Sequence, residues 1–198
     1  MKIAIDIDGV LIDLMVEYCK IFNSIYGTNY KKDDVSNWEF FNDWGITEEK
    51  AFAVFNQIYE DSMSVPFIDS EAPSVMENLN LKHEVSIVSA RESQFKAPII
   101  KKLNFHNIKK NIHYKELILL THKPYDLKLS EHFDLYVDDN PNLVEPIKKL
   151  KNKFLLLYNQ PWNQNSKCEN NVIRVYNWKE VRKEINNLQI KMIKKKKD

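Results

Sequence analysis

The sequence predicts an α/β protein built on a doubly wound parallel sheet with helices on both faces. Two observations carry that prediction. Short apolar runs rich in isoleucine, valine and leucine alternate with helical patterns along most of the chain. Polar residues then collect at the carboxyl ends of those runs, where sheets of this kind bind ligands.

The first strand is KIAIDI, 2–7, short and isoleucine-rich, as expected of a strand buried on both faces. A helix follows from Leu14 to about Tyr26. Leu14, Cys19, Ile21, Phe22 and Ile25 recur on one side, and Gly27 supplies a stop. From Thr28 to about Phe67 the text is aromatic and irregular. Within it Thr47 reads as an N-cap opening a helix to about Asp61, with Glu48 and Glu49 suited to the first-turn dipole. A further helix is expected near 70–80. EVSIVSA, 84–90, is the second strand, and a helix runs from it to about 103 with Pro98 in its first turn. ELILLT (116–121), DLYVDD (134–139) and KFLLLY (153–158) are the third, fourth and fifth strands. Helices are expected near 142–151 and 177–190. Alternation of this kind implies right-handed crossovers.

Composition narrows the function classes. The 198 residues suffice for one domain with a modest insertion. They are 43% apolar and 29% charged, ordinary for a globular protein. The formal net charge is +1. Five of the lysines stand in 191–198, so the body is slightly acidic and argues against nucleic acid as a partner. That 191–198 run is expected to be a solvated, disordered basic tail. The two cysteines, Cys19 and Cys168, have no metal-ligand spacing, and no apolar run approaches the roughly 18 residues of a membrane span. The expectation is a cytoplasmic protein with no membrane partner.

The strand ends carry the chemistry. Strand one ends in Asp6 and Asp8, with Gly9 behind them. Strand two ends in Ser89-Ala90-Arg91, strand three in Thr121-His122-Lys123 and strand four in Asp138-Asp139-Asn140. All converge on one edge of the sheet. Several carboxylates in one place repel one another, so a cation is implied. Oxygen ligands without His or Cys favour a hard ion, Mg²⁺, held by Asp6, the backbone carbonyl of Asp8 and one of Asp138 or Asp139. A metal, a lysine and a hydroxyl around a carboxylate suggest phosphoryl transfer. Asp6 would attack as nucleophile to give an aspartyl-phosphate. Asp8 would protonate the leaving alcohol and then activate water. Ser89, the backbone N–H near Ala90, and Lys123 would hold phosphate oxygens. Arg91 reads equally as a substrate contact or as the partner of an acid. A calcium-loop reading of DIDG fails, because Val10 and Leu11 stand where a ligand and a glycine are needed.

DIDGV, VSAR, Lys123 and DDNP, in that order, resemble the four motifs of the haloacid dehalogenase (HAD) superfamily of phosphatases. The long 13–83 gap is similar to that of members with a small helical cap inserted between the first two motifs. ILLTHK, DLYVDDNP and the late RVYNWKEV, 174–181, resemble the 5'(3')-deoxyribonucleotidases. The resemblance implies a HAD-like Rossmannoid core at 1–13 and 80–190, a cap at 14–79, and the tail at 191–198. It implies the nucleophile role for Asp6, the acid/base role for Asp8, phosphate contacts from Ser89 and Lys123, and Mg²⁺ at Asp139 with Asp138 nearby. Lys128 is the rival for the motif lysine. Lys123 is preferred because it directly follows the strand. The implied function is a Mg²⁺-dependent nucleoside monophosphatase. A sugar-phosphate phosphatase, a nucleic-acid 3'-phosphatase and a non-catalytic phosphate-binding module are the alternatives, and a homodimer stays open. Trp38, Phe40, Phe41 and Trp44 could stack on a base or fill the core of the cap. Trp162 and Trp178 read as packing.

Overall fold

The computed structural model describes residues 1–195. Six parallel strands form one sheet in the order β3-β2-β1-β4-β5-β6. They are β1 (Lys2–Ile5), β2 (Glu84–Ser89), β3 (Glu116–Leu119), β4 (Leu135–Asp138), β5 (Phe154–Tyr158) and β6 (Val172–Val175). Five were expected. β6 completes the sheet at an edge, where only the start of RVYNWKEV had marked it. Side chains divide by the strand period of two. Ile3, Ile5, Val85, Ile87, Val137 and Leu156 join one apolar cluster. Ala4, Val88, Tyr136, Leu155 and Leu157 join the other, on the opposite face. Burial on both faces is why the strands read as continuous apolar runs.

The first cluster continues into the helices. α1 (Leu14–Tyr26) and α3 (Glu48–Glu60) pack together, the Tyr18 ring 4.5 Å from that of Phe55 and its hydroxyl donating to the Ala51 carbonyl, with the short α2 (Phe40–Asp43) beside them. Both expected helix signals act. The Thr47 hydroxyl accepts from the Lys50 N–H at 3.3 Å. Gly27 closes α1 in the left-handed region, φ +68°, its N–H donating to the Asn23 carbonyl.

The chain leaves for these helices and returns from them side by side. Ile12 bridges Phe67, the Asp13 N–H donates to the Pro66 carbonyl, and the Ile68 N–H donates to the Leu11 carbonyl. The next helix, α4 (Ala72–Asn80), packs on β2 and on the final helix α7 (Trp178–Lys195). Ala72–Asn80, placed at the end of the expected 14–79 insert, therefore packs against the sheet and the last helix. α5 (Lys96–Phe105) and α6 (Val144–Lys148) complete the crossovers. α7 runs on through Lys195, so 191–195 continue a helix where a disordered tail was expected. The rest of that expectation, 196–198, lies outside the described residues. Among the described residues no helix is long and apolar enough to cross a membrane.

Candidate active site

The register sets the site. Ile5 lies beside Val137 and Ile87, so the chain ends of β1, β2 and β4 stand abreast. The Asp6 N–H donates to the Val137 carbonyl, carrying the pairing one step past β1. Asp6 and Asp138 thus emerge together from adjacent strands, with Asp139 next in the chain. All three are buried, and oxygens of their carboxylates lie within 4.8 Å of one another.

Lys128 sits between them. It comes from the short 3₁₀ turn Leu127–Ser130 in the β3–β4 connection and is 5% exposed. Its ammonium is 2.8 Å from Asp6 Oδ1 and 2.7 Å from Asp138 Oδ2. Lys123 is not in this cluster. It is half exposed and pairs with Glu48 of α3 at 2.7 Å. Of the two rival lysines, the structure brings Lys128 to the carboxylates and not Lys123, the one preferred from the sequence. Direct succession after a strand placed Lys123 at the right edge, but the chain needs five further residues to turn back beneath the carboxylates.

The remaining acids have fixed partners. Asp138 Oδ1 accepts from the Asn140 N–H at 3.0 Å. Asp139 Oδ2 accepts from the Trp162 indole at 3.0 Å, and Asn163 donates to the Asp139 carbonyl. Gln160 donates to the Gly9 carbonyl. The turn after β5 thus braces both the acidic pair and the loop behind Asp8. Trp162, read as packing, also carries this polar duty. The sequence signal for these contacts is NQPWN, 159–163, polar residues that follow β5 at the same sheet edge. Asp8 is held by Arg91, which donates to both its carboxylate oxygens at 2.5 and 2.8 Å. Of the two readings of Arg91, its geometry is that of an acid's partner. Ser89 is fully buried at the end of β2, and its hydroxyl has no hydrogen-bond partner among the described residues.

Gly9 explains its own identity. Its φ is +78°, and a Cβ placed there would lie 2.0 Å from Asp139 Oδ2. Gly9→Ala is expected to push Asp139 aside, destabilise the protein by about 1–3 kcal/mol and abolish stabilisation by Mg²⁺. Thermal melts with and without Mg²⁺ check this, and a wild-type Mg²⁺ response would contradict it.

The electrostatics ask for a cation. Burial, then the neighbouring Asp138 and Asp8, push the Asp6 carboxyl up to about 7 against the pull of Lys128. Burial, then Asp6 and Asp138, hold the Asp139 carboxyl well above the usual carboxylate range. Burial disfavours the Lys128 ammonium, but Asp138 and Asp6 more than offset it and raise its pKa. Counted as charges, the carboxylates of Asp6, Asp8, Asp138 and Asp139 pair, among the described residues, with Lys128 and Arg91 alone. The deficit of two equals one divalent ion. Asp139 Oδ1 is buried without a hydrogen-bond partner among the described residues, as an atom reserved for a ligand would be. The all-oxygen donor set fits Mg²⁺.

A pH signature follows for the metal-free protein. A carboxyl whose folded pKa is raised lends stability that is complete below its unfolded value near 4 and is lost as pH rises through about 7. Mg²⁺ held by these carboxylates would remove that loss by neutralising the anions. The Mg²⁺-induced rise in melting temperature is therefore expected to grow from about pH 5 to about pH 8. A rise that stayed flat across that window would contradict the assignment.

Above the acids opens a cavity walled by the inserted helices. Trp38, Phe41, Phe52 and Phe55 line it, with Ala90, His122 and Tyr125 from the sheet side. The aromatics named from the sequence divide. Trp38 and Phe41 face the cavity. Phe40 touches it while packing edge-on to Tyr18. Trp44 stacks on Tyr30 at 3.9 Å inside the helical core and does not reach the cavity.

Known proteins share this architecture. The Clostridium acetobutylicum protein named "Nucleotidase CA_C3379" is 28% identical over 190 residues, covering 91% of each chain. The Bacillus subtilis protein named "Putative nucleotidase YqfW" is 24% identical over 194 residues, covering 94% of each. The solved structure described as the "putative HAD-hydrolase YfnB from Bacillus subtilis bound to magnesium" superposes with a TM-score of 0.55 at 11% identity. It covers 93% of this chain and 98% of its own. The family model described as "5' nucleotidase, deoxy (Pyrimidine), cytosolic type C protein" matches residues 1–193. With that match over nearly the whole chain, on a parallel sheet with acids at its carboxyl edge and a fold like that of the HAD-hydrolase structures, the chain belongs to this 5' nucleotidase family and is a hydrolase.

Proposed function

We propose that the protein is a Mg²⁺-dependent phosphomonoesterase that attacks its substrate through Asp6, and that the substrate is a nucleoside monophosphate. One observation carries the reading. A buried cluster of Asp6, Asp138 and Asp139 around Lys128 forms the floor of a cavity whose walls are aromatic. The floor suits a phosphate and its metal, and the walls suit a flat base.

Asp6, Asp139 and the backbone carbonyl of Asp8 would hold the ion, with Asp138 nearby. When bound, Mg²⁺ supplies charge neutralisation to the phosphoryl oxygens and to the acids around it. The chain's own groups do the rest. A carboxylate oxygen of Asp6 attacks phosphorus, and the ester oxygen departs. Asp8 donates a proton to that oxygen, which leaves as the nucleoside hydroxyl. Asp8 then takes a proton from water, which attacks phosphorus, releases inorganic phosphate and regenerates the Asp6 carboxylate. Lys128 holds Asp6 in place and balances charge as it accumulates. The Ser89 hydroxyl, without a partner among the described residues, and the backbone N–H groups around Ala90 would bind the remaining phosphate oxygens. The inserted helices serve as the cap that excludes water during attack.

The family description and the nucleotidase names of the two relatives support the substrate class. The predominantly apolar wall favours a base over the polyol of a sugar phosphate. The test is phosphate release from deoxy- and ribonucleoside monophosphates, sugar phosphates and 3'-phosphorylated oligonucleotides, with Mg²⁺ and with chelator. Mg²⁺-dependent release favouring deoxynucleotides is expected. Release from sugar phosphates alone would keep the chemistry and overturn the substrate. No release from any of them would overturn both.

A further inference from the structure

We infer that Arg91 is the positioning residue of the acid/base catalyst, and that it registers Asp8 to the helix walling the cavity. The inference rests on the proposed role of Asp8. The guanidinium is completely buried at the end of β2. Its Nε donates to Asp8 Oδ2 at 2.8 Å and its Nη2 to Asp8 Oδ1 at 2.5 Å. Its Nη1 donates to the Ser62 hydroxyl at 2.9 Å, just beyond the end of α3. The Tyr59 ring of α3 lies 4.2 Å from the guanidinium carbon. At this point Ala90, not Arg91, lines the cavity. Arg91 therefore has no face turned to a substrate phosphate. Among the described residues, its side-chain hydrogen bonds and its ring contact fix either Asp8 or its own plane.

The geometry suits proton transfer to one defined oxygen. A bidentate guanidinium sets the plane of a carboxylate, which a single hydrogen bond does not. It occupies one lone pair on each oxygen and leaves the other available to carry a proton. Because the same guanidinium holds Ser62 and Tyr59, Asp8 takes its orientation from α3 as well as from β1. A lysine at position 91 would retain the charge and lose the fork.

The test compares kcat/KM on two leaving groups in wild type, Arg91→Lys, Ser62→Ala and Asp8→Asn. A nucleoside monophosphate needs its departing oxygen protonated. p-Nitrophenyl phosphate does not, because nitrophenolate leaves unaided. The ratio of the two constants does not depend on how much of each preparation is folded. Asp8→Asn defines the full shift of that ratio. For Arg91→Lys we expect the nucleotide constant to fall at least about tenfold more than the nitrophenyl constant. Ser62→Ala should give a smaller shift in the same direction. If Arg91→Lys lowers both constants equally, Arg91 acts on the phosphate or on the fold, and the inference is overturned. If it lowers neither, the inference is likewise overturned. If wild type cleaves neither substrate, or Asp8→Asn leaves the ratio unmoved, the proposed role of Asp8 itself fails.

Discussion

Asp6→Asn is expected to lower phosphate release by at least about a thousandfold while leaving the protein folded. The side chain is nearly isosteric, and an amide oxygen is a poor nucleophile. Its backbone N–H keeps its bond to the Val137 carbonyl, so the end of β1 should not move. Stability without metal should rise. Burial beside Asp138 and Asp8 holds the Asp6 carboxyl near 7, so its ionised form is a strained resident of the site at neutral pH. Asparagine removes that charge and leaves Lys128 paired with Asp138 at 2.7 Å. Phosphate release, acid-quenched trapping of phosphoenzyme and thermal melts in chelator check the three parts. Wild-type turnover in Asp6→Asn would remove the nucleophile assignment. A large drop in melting temperature would remove the electrostatic account.

Lys128→Met is expected to be the more damaging change to the fold. The ammonium is the only cation between Asp6 and Asp138 among the described residues, and breaking a buried pair costs about 3–5 kcal/mol. Activity should fall at least about a hundredfold, because Asp6 loses its anchor and the site its fixed positive charge. Lys123→Ala provides the contrast. Lys123 is half exposed on a surface pair with Glu48, and such pairs contribute little. Its melting temperature should be nearly unchanged and its activity within a few-fold of wild type. Activity lost in Lys123→Ala but retained in Lys128→Met would reverse the assignment. Added Mg²⁺ should recover part of the stability of Lys128→Met, since a divalent ion can neutralise the same carboxylates.

The sequence determined the sheet and most of its edge. Strands buried on both faces must be apolar throughout, so KIAIDI, EVSIVSA and KFLLLY were legible without a partner in view. Thr47 and Gly27 marked helix ends because capping is local. Asp6, Asp8, Asp138 and Asp139 were legible for a similar reason: acids at the end of an apolar strand have no local explanation.

What the sequence left open needed long-range geometry. Lys123 and Lys128 differ by five positions, and only the path of the β3–β4 connection decides which ammonium reaches Asp6. The pairing of Arg91 with Asp8 spans 83 positions, and the bond from Trp162 to Asp139 joins two different strand ends. The division of the aromatics into Trp44 inside the helical core and Trp38 on the cavity wall has the same origin. Local chemistry writes strands, caps and acids into the chain as patterns of a few residues. Which charge meets which is settled by packing across the sheet edge, where neighbours in space are strangers in sequence.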